Sequence, residues 1–162
     1  MAKLKPYPLI SKMITHTKIC KSLEETQTLA AEWVVSLRGL IPQTGAVVVG
    51  LSGDLGSGKT SFVQGVARTL GVEEHVTSPT FILERIYKLG GETSKWKYLV
   101  HIDCYRLDSA QELKHLGFEE LASEPENLIL IEWPERIVGA LPKDIITLKF
   151  EFIDENTRKI EW

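Results

Sequence analysis

A glycine-rich segment of eight residues constrains the fold of this 162-residue chain more than any other part of the sequence. It has the pattern G-x-x-x-x-G-K-[ST], and its members are Gly53, Asp54, Leu55, Gly56, Ser57, Gly58, Lys59 and Thr60. In such loops the glycines let successive backbone N–H groups point at phosphate oxygens. The lysine reaches the β- and γ-phosphates, and the hydroxyl is a ligand for Mg²⁺. The segment therefore predicts a site for a nucleoside triphosphate.

The residues on either side of this loop meet its structural requirement, which is a strand before it and a helix after it. Residues 46–51 are apolar and rich in valine, which is typical of a strand buried on both faces of a parallel sheet. Behind the loop, apolar side chains recur at helical spacing from Phe62 to Leu70, and Gly71 ends the segment. The N-terminus of this helix would add partial positive charge toward bound phosphates.

Two other segments carry a start signal for a helix, Ser-x-x-Glu, in which the hydroxyl and the carboxylate bind backbone N–H groups. The first, residues 22–25, precedes apolar residues at helical spacing that continue to the stop signals Gly39 and Pro42. The second, residues 109–112, predicts a short helix that ends at Gly117.

The remaining strand predictions come from β-branched and alternating residues. They are 13–20 as a short edge strand, 81–89 and 96–102 as a hairpin around Gly90 and Gly91, 128–131 as a second buried strand, and 146–152 with 158–162 as an antiparallel pair joined by a polar turn. Strands and helices alternate along the chain without repeats or linkers, so we predict one mixed α/β domain after frayed first residues.

Composition excludes several classes of protein. Because 19 Lys+Arg stand against 22 Asp+Glu, the net charge is −3, and the chain lacks the basic surface of a stand-alone nucleic-acid binder. Cys20 and Cys104 are too few for a disulfide scaffold, and the four histidines lack metal-ligand spacing with them. No apolar run has the length of a signal peptide or a membrane span. We therefore expect a soluble, intracellular domain.

Two carboxylates stand at the ends of predicted strands. Glu132 follows residues 128–131, and Asp103 follows the strand ending at residue 102. The carboxyl ends of strands in an open α/β sheet converge on the edge that carries the phosphate-binding loop. A lone carboxylate at such a position is more often simply solvated, but beside this loop both are candidates for holding Mg²⁺ and positioning water.

A hydroxyl-rich turn, Thr77-Ser78-Pro79-Thr80-Phe81, follows the loop by about twenty residues. It is either an ordinary connection or a switch segment that senses the γ-phosphate, and we favour the switch because nucleotide switches occur in such connections. Trp96, Tyr105 and Trp133 could all belong to the core, but Trp133 directly follows Glu132 and could line the nucleotide pocket.

Four motifs together resemble the TsaE (YjeE) family. They are the loop at 53–60, TSPTF at 77–81, HIDCYRL at 101–107 and IEWPE at 131–135. Their order and spacing match the family pattern from about Ile14 to the C-terminus. Three departures are mild: Ser57 stands where alanine is usual, Cys104 stands where leucine is frequent, and the first dozen residues are an extension.

The resemblance implies an α/β fold made of a single P-loop NTPase-type domain, with a mostly parallel central sheet flanked by antiparallel strands and helices. That domain would cover residues 13–162, after a flexible extension over residues 1–12. The resemblance further implies a cytoplasmic, Mg²⁺-dependent ATPase of low intrinsic activity, required to make threonylcarbamoyladenosine in tRNAs that read codons beginning with A. Its partners would be TsaD and TsaB, and tRNA would be contacted indirectly through the complex.

The resemblance also implies roles for individual residues. Lys59, Asp103 and Glu132 would be catalytic, and Thr60 with Glu132 would hold Mg²⁺. The residues expected to contact ATP are the loop residues Gly53 to Thr60, together with Ser61, Thr80, Trp133, Leu23 and Thr157. The last two represent an adenine pocket between the start of the first helix, near Ser22, and the C-terminal hairpin, near Asn156.

Two alternatives remain at the level of sequence. A small-molecule kinase would need an acceptor site, for which only residues 108–127 are available, and this segment has no arginine. The other alternative is a binding module that uses nucleotide only as a switch. A GTPase is disfavoured, because neither Asn-Lys-x-Asp nor Asp-x-x-Gly follows the loop.

Overall fold

A seven-stranded sheet forms the centre of the computed structural model, which describes residues 16–39, 44–90 and 95–162. Its strands are β1 (Thr17–Cys20), β2 (Val47–Ser52), β3 (Glu84–Lys88), β4 (Tyr98–Asp103), β5 (Asn127–Glu132), β6 (Ile146–Phe152) and β7 (Arg158–Glu161). Their order across the sheet is β1-β7-β6-β2-β5-β4-β3.

The four central strands, β6, β2, β5 and β4, are parallel, and the outer strands pair antiparallel at both edges. This is the predicted architecture of a mostly parallel sheet flanked by antiparallel strands. Every residue of β5 is buried, as expected for a strand covered on both faces. Because β2, β5 and β4 run in the same direction, their carboxyl ends lie at one edge of the sheet.

Within the described ranges, four α-helices cover the two faces of the sheet: α1 (Leu23–Ser36), α2 (Lys59–Thr69), α3 (Ala110–His115) and α4 (Phe118–Ser123). Alternate residues of each strand point to opposite faces. Leu99, Leu128 and Leu130 pack with α1 and α2, whereas Ile129 and Ile131 pack on the other side with α3 and α4. Among the described residues, no helix combines the length and the apolar character needed to cross a membrane.

The two predicted helix starts behave differently. At α1, the Ser22 hydroxyl accepts a hydrogen bond from the Glu25 N–H at 3.1 Å, and the Glu25 carboxylate accepts one from the Lys21 N–H at 2.7 Å. At α3, Ser109 precedes the helix but its side chain makes no cap hydrogen bond, so the predicted capping box is wrong there. Gly117 ends α3 as predicted and also begins α4, which the sequence pattern did not indicate.

Both predicted hairpins are present; β6 has the predicted bounds, whereas β3, β4 and β7 are shorter than predicted. Residues 17–20 form the edge strand, whereas residues 13–15, the 1–12 extension, Pro42 and Gly91 lie outside the described residues. The first strand of the β3–β4 hairpin begins at Glu84 and not at residue 81. Residues before it form a turn instead, because the N–H groups of Ile82 and Leu83 both donate to the Pro79 carbonyl.

Candidate functional site

A cavity of about 490 Å³ opens at the sheet edge where β2, β4 and β5 end. It is lined by Ser22, Leu23, Thr26, Leu55, Gly56, Gly58, Lys59, Thr60, Ser61, Ser78, Thr80, Asp103, Tyr105, Glu132, Trp133, Glu155, Asn156 and Arg158. Most of the residues expected to contact nucleotide are therefore brought together. Gly53, Asp54, Ser57 and Thr157 are not part of the lining.

The glycine-rich loop reverses the chain between β2 and α2 in a conformation that depends on glycine. Gly58 precedes α2 with φ +98°, a left-handed geometry that side chains disfavour. A Cβ at Gly53, where φ is +150°, would lie 2.8 Å from the Ser57 hydroxyl and collide with Phe150. Ser57 is fully buried beneath the loop, and its N–H donates to the Asp54 carbonyl at 3.1 Å. Asp54 and Ser57 thus shape the loop from outside the cavity.

Lys59, the first residue of α2, is only 4% exposed. Its Nζ donates to the carbonyls of Gly53 at 2.6 Å and Asp54 at 2.8 Å, and it lies 4.2 Å from the centre of the Trp133 ring. Burial lowers the pKa of Lys59, and the negative charge of Glu132 opposes that shift most strongly. The loop therefore holds a desolvated ammonium group that an anionic ligand would stabilise.

The Thr60 hydroxyl and the Glu132 carboxylate form a hydrogen-bonded pair of oxygen groups in the cavity that also contains Lys59. The Thr60 hydroxyl donates to Glu132 Oε1 at 2.8 Å, and Glu132 is 3% exposed. Hard oxygen donors fit Mg²⁺, which is usually bound by one or two protein groups plus phosphates and water. No group of three or more His, Cys, Asp or Glu side chains that could hold a metal ion occurs in the described part of the chain.

The register of the sheet places Asp103 next to Glu132. The two residues are direct partners in the parallel β4–β5 pair, and both face the α2 side of the sheet. Asp103 Oδ2 accepts hydrogen bonds from the hydroxyls of Thr80 at 2.6 Å and Ser78 at 3.1 Å. Oδ1 accepts one from the Tyr105 N–H at 2.9 Å. The predicted switch segment is thus tied to this carboxylate.

Trp133 follows Glu132 in a left-handed backbone conformation, with φ +60°. A non-glycine residue with this φ is uncommon and is held here by tertiary contacts. Its N–H donates to the Leu51 carbonyl at 3.2 Å, and its ring centre lies 5.1 Å from that of Tyr105. Both rings line the cavity, whereas Trp96 is buried in the core.

The C-terminal hairpin contributes Arg158, which the sequence analysis missed. Arg158 Nε donates to the Gly56 carbonyl at 3.1 Å, and an Nη donates to the Asp154 carbonyl at 2.6 Å. The guanidinium therefore connects the hairpin turn to the glycine-rich loop. The sequence does contain a signal for this role, since Arg158 is a positively charged residue directly after Thr157, which was expected to contact the nucleotide. Asn156 and Arg158 face the cavity in place of Thr157.

His101 is a second residue that sequence reasoning did not assign to the site. It lies two residues before Asp103 on the same face of β4, and its Nε2 is 2.8 Å from Glu132 Oε1. The sequence contains a signal for this position, because His101 and Asp103 are two residues apart in the HIDCYRL motif and such residues of a strand face the same side of the sheet. By contrast, burial raises the pKa of the Cys104 thiol to about 12 and also raises that of Cys20, so neither behaves as a reactive thiolate.

Comparison with known proteins gives consistent matches. The family model described as "Threonylcarbamoyl adenosine biosynthesis protein TsaE" matches residues 20–160. Curated proteins named tRNA threonylcarbamoyladenosine biosynthesis protein TsaE are similar to this chain. That of Rickettsia felis is 40% identical over 86% of this chain and 75% of its own length. The Treponema pallidum protein is 37% identical over 75% of this chain and 84% of its own length. The Rickettsia bellii protein is 36% identical over 91% of this chain and 94% of its own length.

One solved structure is also similar. The crystal structure of YdiB from Bacillus subtilis superimposes with a TM-score of 0.67 at 25% identity, covering 90% of this chain and 82% of that chain.

Proposed function

This chain belongs to the TsaE family, and from that premise we propose that it binds and hydrolyses Mg-ATP to support the formation of threonylcarbamoyladenosine in tRNA. The observation that carries the proposal is the meeting of Lys59, Asp103 and Glu132 in one cavity beside the glycine-rich loop. A buried ammonium, a hydroxyl–carboxylate pair and a second carboxylate are the groups that a phosphoryl-transfer site of this loop type needs.

The binding roles follow from the positions of the side chains. Lys59 can exchange its two carbonyl hydrogen bonds for phosphate oxygens, which restore the counter-charge that its burial removes. Backbone N–H groups of the loop and the N-terminus of α2 add donors for the same phosphates. The nucleoside would lie toward Leu23 and Asn156, where the start of α1 and the C-terminal hairpin line the cavity.

Thr60 and Glu132 would hold Mg²⁺, which neutralises charge on the phosphates when it is bound. Asp103 would orient the attacking water, since it lies beside Glu132 in the β4–β5 pair and is itself oriented by Thr80, Ser78 and the Tyr105 N–H. Thr80 could then report the state of the nucleotide through its hydrogen bond to Asp103. Trp133 covers Lys59 with its ring and limits access of water to the ammonium group.

The packing of residues 108–127 does not support the acceptor site that a small-molecule kinase would need. Residues 108–127 include α3 and α4, which pack on the face of the sheet opposite α2 with Leu113 and Phe118 buried. A segment packed in this way is a structural cover and not a lid over the cavity. We therefore favour water as the acceptor.

We further propose that the protein acts in the cytoplasm with TsaD- and TsaB-like partners, and that its hydrolysis is slow without them. The net charge of −3 supports contact with tRNA through those proteins and not by strong direct binding. The partners would supply the second substrate site.

The test is reconstitution with TsaB and TsaD on unmodified tRNA, with both ATP consumption and nucleoside modification measured. Lys59→Ala and Glu132→Ala should each slow hydrolysis by about a hundredfold or more, because each removes a group that stabilises transferring phosphate charge. Lys149→Ala is the matched control, since this lysine is exposed on β6 and should leave both rates unchanged. Hydrolysis by Lys59→Ala at the wild-type rate would contradict the proposal.

A further inference from the structure

His101 is a polar side chain buried inside the sheet, where it contacts the Glu132 carboxylate. It is 0% exposed in the middle of β4, paired in register with Leu130 of β5. Burying an imidazole is unfavourable unless the ring is hydrogen-bonded, and a leucine would fill such a position at lower cost. The contact between His101 Nε2 and Glu132 Oε1, at 2.8 Å, therefore needs an explanation.

The hydrogen-bond pattern assigns the donor. Glu132 Oε1 also accepts the Thr60 hydroxyl at 2.8 Å, so this oxygen is the acceptor for both neighbours. His101 Nδ1 is buried and has no hydrogen-bond partner among the described residues. The proton that the ring donates is therefore on Nε2, and the hydrogen bond that it forms within the described part of the chain goes to Glu132.

We propose that His101 is a positioning residue that holds the Glu132 carboxylate for the divalent cation. The imidazole fixes Oε1 from the interior of the sheet while Thr60 approaches the same oxygen from α2, so the carboxylate cannot rotate freely. Residues that orient a ligating carboxylate contribute to metal affinity without touching the metal. This inference rests on the proposed Mg-ATP site and identifies a residue that supports its metal ligand.

Three substitutions separate positioning from packing. His101→Gln places an amide N–H near the position of Nε2 and can still reach Glu132. His101→Asn ends about one bond shorter, near the level of Nδ1, and cannot reach it. His101→Leu fills the space without a donor. Leu99→Val is the matched control, because Leu99 is equally buried on the same face of β4 but belongs to the apolar cluster.

The assay is electron paramagnetic resonance of free Mn²⁺, titrated into the full chain with ADP, accompanied by ADP binding in the presence of EDTA and by thermal unfolding. We expect His101→Leu and His101→Asn to weaken Mn²⁺ binding by about tenfold or more, and His101→Gln and Leu99→Val to stay within about threefold of wild type. Metal-free ADP binding should be the same in all variants.

Equal Mn²⁺ affinity in the Gln and Asn variants would overturn the positioning role, and this comparison holds even if the Leu variant does not fold. Lower melting temperatures with unchanged Mn²⁺ affinity would also overturn it, since the histidine would then serve packing alone. Failure of the wild-type protein to bind Mn²⁺ with ADP would instead remove the proposed metal site itself.

Discussion

The substitution Gly65→Ala separates local helix preference from tertiary packing. Gly65 lies in the middle of α2, where alanine is favoured over glycine by about 1 kcal/mol of helix propensity. In this fold, however, a Cβ at residue 65 would lie 2.8 Å from the Ala30 Cβ and 2.9 Å from both the Cα and the carbonyl oxygen of Gln27. All three atoms belong to α1, so the absent side chain is what lets the two helices approach.

The size of the effect follows from these contacts. Optimal carbon–carbon separations are about 3.5–4.0 Å, so α1 would have to move by several tenths of an ångström or more. Two of the opposing atoms are backbone and cannot rotate away, which places the cost near the upper end of about 1–3 kcal/mol for overpacking. Subtracting about 1 kcal/mol of propensity leaves a net loss of about 2 kcal/mol. For a chain of this length that corresponds to a melting temperature lower by about 4–8 °C.

Thermal and denaturant unfolding of Gly65→Ala, Ala30→Gly and the double variant measure this. Removing the Ala30 methyl relieves one of the three contacts, so Gly65→Ala should cost less in the Ala30→Gly background but should still be destabilising. A melting temperature of Gly65→Ala above that of wild type would contradict this prediction, because helix propensity would then outweigh the packing cost. Since α2 begins at Lys59 and Thr60, the displacement should also weaken nucleotide binding.

Two further predictions concern side chains of the site and its surroundings. Thr80→Val keeps the shape of the side chain but removes its 2.6 Å hydrogen bond to Asp103. It should slow partner-stimulated phosphate release about tenfold, which is the effect of losing a hydrogen bond to a charged group, whereas the control Thr77→Val should leave the rate unchanged. Equal rates in the two variants would disprove the switch role. Burial raises the pKa of Cys104 to about 12 and also raises that of Cys20, so both thiols are largely protonated at about pH 8. A disulfide reagent at about pH 8 should therefore label neither cysteine rapidly until guanidinium unfolds the protein, and one fast thiol in the native state would contradict this.

Much of the architecture could be predicted because its signals are contiguous in the chain. The valine-rich strand, the glycine-rich loop and the amphipathic helix behind it form one continuous segment, and the structure has β2 and α2 on either side of that loop. The C-terminal hairpin was equally predictable, since alternating apolar residues of β6 are followed by a polar turn and a short return strand. Burial and chain reversal over short distances depend on local residue types.

Local patterns predicted the structure wrongly at two places, Ser109 and residues 81–83. Ser109 has the residue type and spacing of a capping serine, yet its side chain makes no cap hydrogen bond at the start of α3. Residues 81–83 have strand composition but form a turn, because two N–H groups donate to the Pro79 carbonyl and the segment is tied to Asp103. Secondary-structure preferences of a fraction of a kilocalorie per residue are easily outweighed by such contacts.

The residue pattern alone predicts a phosphate-binding loop between a buried strand and a helix, with carboxylates at the ends of two strands. It does not predict which of these groups come into contact, because that depends on how the strands pair. The parallel register of β4 and β5 places Asp103 beside Glu132 and brings the His101 imidazole to the Glu132 carboxylate. The C-terminal hairpin places Arg158 against the Gly56 carbonyl of the glycine-rich loop. These contacts join residues up to 102 positions apart, and their geometry depends on strand order and register, which no local pattern of residues encodes.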